Sequence, residues 1–350
     1  MPPLIPNDQG EGRATLKDVA RLAGVHPGTA SRALNVETRP LVNGETAERV
    51  LAAAEQLGYR PNPIARGLKT SRSYTVGVLI PDLTNPLFPP IVRGIQDRLD
   101  EAAYTPLIAN TDNDADRERA DIEAMRARQV DGLIAATARR DHGLAASLDD
   151  LDLPVVLVNR RLEDGARPSV VGDDRKGVSL AVEHLLSLGH RRIAHLAGPQ
   201  ELSTGHLRME SFMESMRAAG VEPDPDLVLV GNAFVEPEGE RLCNELLDRG
   251  VEVTAIVAGN DLMALGCYDA FVDRTISCPG QISVVGFNDM PFAAWFNPPL
   301  TTVRLPHYEI GARAAELLLE RLRDPGAEPA QVMLEPELVV RASTAAPAER

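Results

Sequence analysis

The sequence predicts an α/β chain in which a small all-α helix-turn-helix headpiece precedes a body of two subdomains built on parallel sheets. Three observations carry this expectation. The segment TLKDVARLAGVHPGTASRALN, Thr15 to Asn35, reads as two short helices joined by a tight turn. From Ser73 onward, short β-branched runs alternate with helical patterns, as in parallel sheets wrapped by helices. At 350 residues the chain exceeds the roughly 100–200 residues of a single domain.

Thr15 is placed to cap the first helix, with Asp18 completing a capping-box pattern. Leu16, Val19, Ala20 and Ala23 then share a face, and Gly24 suits the left-handed residue that ends such a helix. His26-Pro27 opens the second helix, proline being well placed at a first helical position. Thr29, Ser31 and Arg32 on that helix are small or cationic, as side chains entering a groove of DNA are. An ordinary helical hairpin is the plainer alternative. A third amphipathic helix begins after Asn43, with Thr46, Val50, Ala53, Ala54 and Leu57 on one face and Gly58 at its end. The prolines of Arg60-Pro61-Asn62-Pro63 stop it. IARGLKTSRS follows, and is read either as a flexible linker or as a segment that orders on DNA and inserts Leu68 into the minor groove.

In the body, TVGVLI, PLIANT, DGLIAA and PVVLVN are strand candidates separated by helices such as IVRGIQDRLDEAA and ADRERADIEAMRARQ. RRIAHLAG, DLVLVG, TAIVAG and ISVVGF repeat the arrangement, so two sheets are expected, with ligands at strand carboxyl ends facing a cleft.

Net charge is −15, which by itself argues against nucleic acid. Its distribution reverses the inference: residues 15–72 hold nine Lys/Arg against five Asp/Glu, a net +4 that leaves −19 on the rest. A basic module on an acidic body grips phosphates locally while the body discourages indiscriminate adherence. Cys243, Cys267 and Cys278 are odd in number with no paired spacing, which reads as reduced thiols of a cytoplasmic protein. No His/Cys cluster has metal-ligand spacing, and no metal or other cofactor is expected. The N-terminus lacks the charged and apolar regions of a signal peptide, and no apolar run is long enough to span a membrane. No Walker loop, GxGxxG after a strand, GxSxG or HExxH is present, so no enzyme is expected. His184 and His190 flank a helix end, where capping or solvation is the ordinary role.

TLKDVARLAGV, TASRALN, the TAERVLAAAEQLGYRPN helix and the ARGL hinge together resemble the headpiece of the lac-repressor family (LacI/GalR). The resemblance continues through VGVLIPDLTNPLFPPIVRGI, AVEHLLSLGHRRIAHLAGP, AIVAGNDLMALG and PPLTTVRLPHYEIG, covering roughly Thr15 to Thr344. It implies a periplasmic-binding-protein-like body whose subdomains are crossed three times, with helix PHYEIGARAAELLLERL returning to the first. The expected boundaries are a tail at 1–14, a headpiece at 15–60, a hinge at 61–73 and a body at 74–344. Within the body the N-subdomain takes about 74–172 and 304–331 and the C-subdomain about 173–303 and 332–344, with a tail at 345–350.

The resemblance also implies a dimer that binds palindromic operator DNA as a repressor, under control of a small molecule, a sugar or sugar derivative, in the cleft. Residues expected at DNA are Lys17, His26, Pro27, Gly28, Thr29, Ser31, Arg32, Asn35 and Asn43, with Asn62, Ala65 and Leu68 in the hinge. Pro27 and Gly28 stand where relatives place base-reading side chains, so readout would lean on Arg32, His26 and Thr29. Lys17, Ser31, Asn35 and Asn43 would contact phosphates, while His26 is alternatively just a cap. Arg208 matches the family's effector-contacting arginine, although alone it reads as a solvated helix residue. Asn260 is expected either to reach the effector or to cap the helix after it. Asn159 and Asn288 stand where relatives carry aspartate; asparagine keeps hydroxyl recognition open without carrying over a particular sugar and, with two fixed charges gone, also suits an effector with a negative group. Phe88 and Phe234 are candidates for stacking on the ligand, with core packing as the alternative.

A sugar-binding transport protein would share the body but needs a signal peptide and no headpiece. An enzyme fused to a helix-turn-helix would need a nucleophile or acid-base pair at the strand ends.

Overall fold

The computed structural model describes residues 14–35, 38–60, 72–140, 153–326 and 328–348, in two compact units, Met1–Ser73 and Tyr74–Arg350. The hinge positions Asn62, Ala65 and Leu68 lie outside the described residues.

The first unit holds α1 (Leu16–Leu22), α2 (Pro27–Leu34) and α3 (Gly44–Gln56). Thr15 and Asp18 form a reciprocal capping box at α1, and Gly24 takes φ +65° after it. The buried core is two valines, Val19 and Val50, and seven alanines from the three helices, a small area for holding a unit together. The apolar face of α3 holds Val50, Ala53 and Ala54 as expected and differs at its ends: Ala47, not Thr46, is buried, and Leu57, beyond the last full turn, is exposed.

The second unit carries two six-stranded sheets. Strands β1 (Thr75–Ile80), β2 (Thr105–Asn110), β3 (Gly132–Ala135), β4 (Val155–Val158) and β5 (Ser169–Gly172) form the first, with α4 (Phe88–Glu101) and α5 (Ala115–Ala127) between them. After α6 (Asp174–Ser187) come β6 (Ile193–Ala197), α7 (Ser203–Ala218), β7 (Val228–Val230), α8 (Glu236–Asp248), β8 (Ala255–Ala258), α9 (Asp261–Arg274), β9 (Ser283–Asn288) and β10 (Thr301–Arg304). The chain then returns through α10 (His307–Arg323) and ends in β11 (Gln331–Leu334) and β12 (Glu337–Val339).

The first sheet runs β11-β5-β4-β3-β1-β2 and the second β12-β10-β9-β8-β6-β7. All described pairings are parallel except β10 with β12. The crossings fall after β5, after β10 and between β11 and β12. Because β11 pairs with β5 over Gln331–Leu334, the last crossing lies beyond Leu334, later than the expected 331/332 boundary. The ordered body also extends past Thr344: the Ala345 carbonyl accepts from Ser283 Oγ and bonds His190 Nε2 at 2.8 Å, correcting the expected tail at 345.

The return helix α10 packs on α4 where glycines face each other's backbone. A Cβ on Gly94 would lie 2.1 Å from the Tyr308 carbonyl oxygen, and one on Gly311 2.0 Å from that of Ile91. One apolar cluster then runs from Ile80 and Ile134 in the first sheet to Val257 and Phe287 in the second. The two sheets therefore meet over a shared core that fixes the walls of the cleft between them.

Candidate functional site

In the headpiece the expected contact residues cluster around α2. His26 is its N-cap, with Nδ1 accepting from the Gly28 N–H at 3.1 Å, so the capping role is realised and Nε2 is left over. Exposed Arg32 folds back to donate from Nε to the Gly28 carbonyl at 3.3 Å. Thr29 and Ser31 are half-buried, Lys17 on α1 is exposed, and Pro27 sits in the first turn of α2. Asn35 caps the end of α2, and Asn43 caps α3 by accepting from the Glu45 N–H at 3.0 Å.

In the body, a cleft of about 190 Å³ opens at the switch points of both sheets. The strand orders place β1 between β2 and β3 and β6 between β7 and β8, the positions at which ligands sit outside strand carboxyl ends. Its lining follows that rule: Asp82 lies just past β1, Arg139 past β3, Asn159 and Arg160 past β4, Pro199 past β6, Asn260 past β8, and Asn288 ends β9. Phe88, Asn159, Arg208, Phe234, Asn260 and Asn288, far apart in sequence, all line this one cleft.

Arg208, in the second turn of α7, is buried rather than solvated. Nε donates to Asp174 Oδ1 at 2.7 Å and Nη1 to the Gly259 carbonyl at 2.7 Å. The guanidinium stands 3.8 Å from the Phe287 ring centroid and 5.6 Å from that of Phe234. Burial pushes the Asp174 carboxyl up, and Arg208 opposes that shift.

The three asparagines are held differently. Asn260 Oδ1 accepts from the Met263 N–H at 2.9 Å as the N-cap of α9, and Nδ2 donates to the Phe234 carbonyl at 3.2 Å. Both ends of its amide thus serve the fold. Asn288 is buried in a positive-φ conformation, and its Oδ1 has no hydrogen-bond partner among the described residues. Asn159, also at positive φ, is buried against the cleft. Phe88 starts α4 and belongs to the core cluster, so its packing is accounted for. Phe234 is half-buried over Gly198, where a Cβ would meet its ring at 2.1 Å.

Sequence reasoning missed Arg160 and Thr204, both buried and both lining the cleft. Neighbouring charges in NRR give no sign of which arginine turns inward. Arg160 Nε has no partner among the described residues, and burial lowers the guanidinium pKa to about 10. Thr204 lies in the first turn of α7, whose N-cap Leu202 supplies no side-chain cap. No group of three His, Cys, Asp or Glu able to hold a metal occurs among the described residues.

Comparison with known proteins agrees with both halves. Residues 15–62 match the sequence profile of the bacterial regulatory proteins, lacI family, and residues 182–344 that of the periplasmic binding protein-like domain. The HTH-type transcriptional regulator RegA of Clostridium saccharobutylicum is 34% identical over 331 residues, 94% of this chain and 99% of RegA. The chain belongs to the lacI family. Among solved structures of this family, the lac repressor dimer bound to operator and the anti-inducer ONPF matches with a TM-score of 0.84 at 27% identity, over 96% of this chain and 100% of that one. The complex of the transcriptional regulator CelR with cellobiose matches with a TM-score of 0.72 at 32% identity, over 95% of this chain and 100% of that one. Relatives of this lacI-family chain are transcriptional regulators rather than enzymes, and no helix among its described residues is long and apolar enough to cross a membrane.

Proposed function

We propose that this lacI-family protein is a transcriptional repressor that binds a palindromic operator as a homodimer. A small polyhydroxylated effector, a sugar or sugar derivative, changes its affinity for DNA from the cleft. The observation that carries this reading is the convergence of six sequence-distant side chains at the switch points of two sheets, on a chain that also carries a capped helix-turn-helix. Arg208 supplies a rigid guanidinium whose Nε and Nη1 are anchored, leaving Nη2 for a ligand oxygen. Asn288 Oδ1 is an acceptor awaiting a hydroxyl. Asn260 holds Phe234 in place from behind. In the headpiece Arg32 reads a base edge once it releases its own helix, and Lys17 and Ser31 fix the phosphates.

The effector acts by binding one arrangement of the subdomains more tightly than the other. The test is a thermal-unfolding screen against millimolar sugars, sugar acids, sugar phosphates and purines. A ligand at 100 times its Kd adds about 2.7 kcal/mol, enough to move the transition visibly. A ligand recovered chemically unchanged after long incubation supports a regulator, and its conversion would favour an enzyme.

For the dimer, an apolar patch on α9 and the turn after β9 suits a second copy. Val272 is 78% exposed and Trp295 84% exposed. Between them Tyr268, one turn before Val272, packs edge-on to Phe296 at 5.6 Å. Trp295 is the only tryptophan in the chain, so its emission reports directly on this patch. Burial against a partner predicts a red shift on dilution that tracks dissociation; a spectrum independent of concentration while the dimer dissociates would place the interface elsewhere.

A further inference from the structure

Resting on the reading of this cleft as the effector site, we infer that the effector carries a carboxylate, which docks on the Arg160 guanidinium while a hydroxyl of the same molecule donates to Asn288 Oδ1.

The cleft's charges are unequally partnered. Its buried lining holds two cations, Arg160 and Arg208. Arg208 is matched in direct contact by Asp174, itself buried. Arg160 is 6% exposed, and its side chain makes no hydrogen bond or ion pair with any described residue. Glu118 acts on it through space only; that carboxyl takes a hydrogen bond from Thr137, and burial favours its neutral form. The other acids of the lining, Asp82 and Glu201, lie at the wetter rim, where Asp82 already accepts from the Thr84 N–H and hydroxyl. With its pKa at about 10, Arg160 keeps its proton at neutral pH.

A buried, charged guanidinium without a contacting anion is costly, and that cost is recovered by whatever anion enters. The planar fork of N–H donors matches a carboxylate in a bidentate pair. Asparagine at 159 and 288 fits the same conclusion. Aspartate at these positions would hold negative charge against an incoming carboxylate, whereas asparagine presents none. A neutral polyol would satisfy Asn288 and leave the charge of Arg160 uncompensated. A hydroxy-acid satisfies both.

The test is calorimetric titration of the full-length protein with matched probes: D-gluconate against D-glucose and D-glucose 6-phosphate, D-galacturonate against D-galactose, and D-glycerate against glycerol. At least one acid should bind tenfold or more tightly than its neutral counterpart. In Arg160→Gln that preference should vanish, and in Arg160→Lys, which keeps the charge without the fork, it should weaken. Because the unliganded site holds an unpaired charge, Arg160→Gln without ligand should melt no lower than the wild type, which separates loss of recognition from loss of fold. Equal binding of acid and neutral probe overturns the inference, as does an acid preference that survives Arg160→Gln, preference for a sugar phosphate over the corresponding acid, or no acid bound at millimolar concentration. Operator binding is not read here, so a ligand held by Arg160 that leaves DNA affinity unchanged would count against the regulatory reading alone.

Discussion

Arg208 and Asp174 form an ion pair inside the body, Nε to Oδ1 at 2.7 Å, with side chains 4% and 6% exposed. It ties the first turn of α6 to the second turn of α7 beside the cleft. The two partners are not equivalent, because the carboxyl can neutralise itself by taking a proton and the guanidinium cannot. Asp174→Asn strands a buried charge and should cost about 3–5 kcal/mol. Arg208→Met leaves a carboxyl that burial already pushes up, so it should cost visibly less while abolishing the effector response. Urea midpoints of the two variants check the order; an equal loss would deny the asymmetry.

Asp261 gives a pH signature. Its carboxyl is fully buried, accepts from Thr302 Oγ1 at 2.5 Å and the Met290 N–H at 2.6 Å, and burial raises its pKa to about 7. A group that holds its proton longer when folded contributes stability in full below the unfolded carboxylate pKa of about 3.9, and loses it as pH rises through the folded value. His195 and His307, lowered to about 4 by burial, act oppositely: their contribution is present above about 6.5 and is lost as pH falls through 4. The stability difference between wild type and Asp261→Asn isolates the aspartate. It should shift against the wild type between pH 4 and 7 and stay flat above. A difference independent of pH would mean that Asp261 titrates normally.

Asn260 and Asn288 should separate structure from recognition. Asn260→Ala removes the α9 cap and should cost about 1 kcal/mol of stability. Asn288→Gly, which keeps the +110° φ without strain, deletes an acceptor that the fold does not use and should change stability little while weakening effector binding at least tenfold. Melting curves with and without ligand distinguish them; a large stability loss in Asn288→Gly would show that its amide serves the fold.

Arg32 carries the base readout that Pro27 and Gly28 cannot supply through side-chain hydrogen bonds. Arg32→Ala should weaken operator binding by about 1–3 kcal/mol, concentrated at one base position. A uniform loss over all operator variants would make it a phosphate contact.

Much of this was legible in the sequence because it depends on local pattern. The α1 cap, the proline at the start of α2 and the buried β-branched runs of β1, β4 and β9 are each set within a few residues. Strands β5 and β10 hold only two valines and one valine as large apolar residues, and exposed positions in β11 and β12 dilute their apolar signal. Partnerships across the chain were out of reach. Asp174 lies 34 residues from Arg208, and nothing in NRR shows that Arg160 turns into the cleft while its neighbour does not line it. Asn260 carried both of its expected roles in the sequence, and only the hydrogen bonds at its two amide ends show how much the fold already uses.

The central claim couples the cleft to DNA, and operator affinity with the cleft saturated tests it most directly. Using an operator selected from random duplexes and a ligand found by thermal shift, Kd for DNA should change between about 5- and 150-fold on saturation, the range of coupling free energies of 1–3 kcal/mol. In Asn288→Gly the same change should require at least tenfold more ligand. Identical operator affinity with the cleft empty and full would contradict the account, whatever the ligand proves to be.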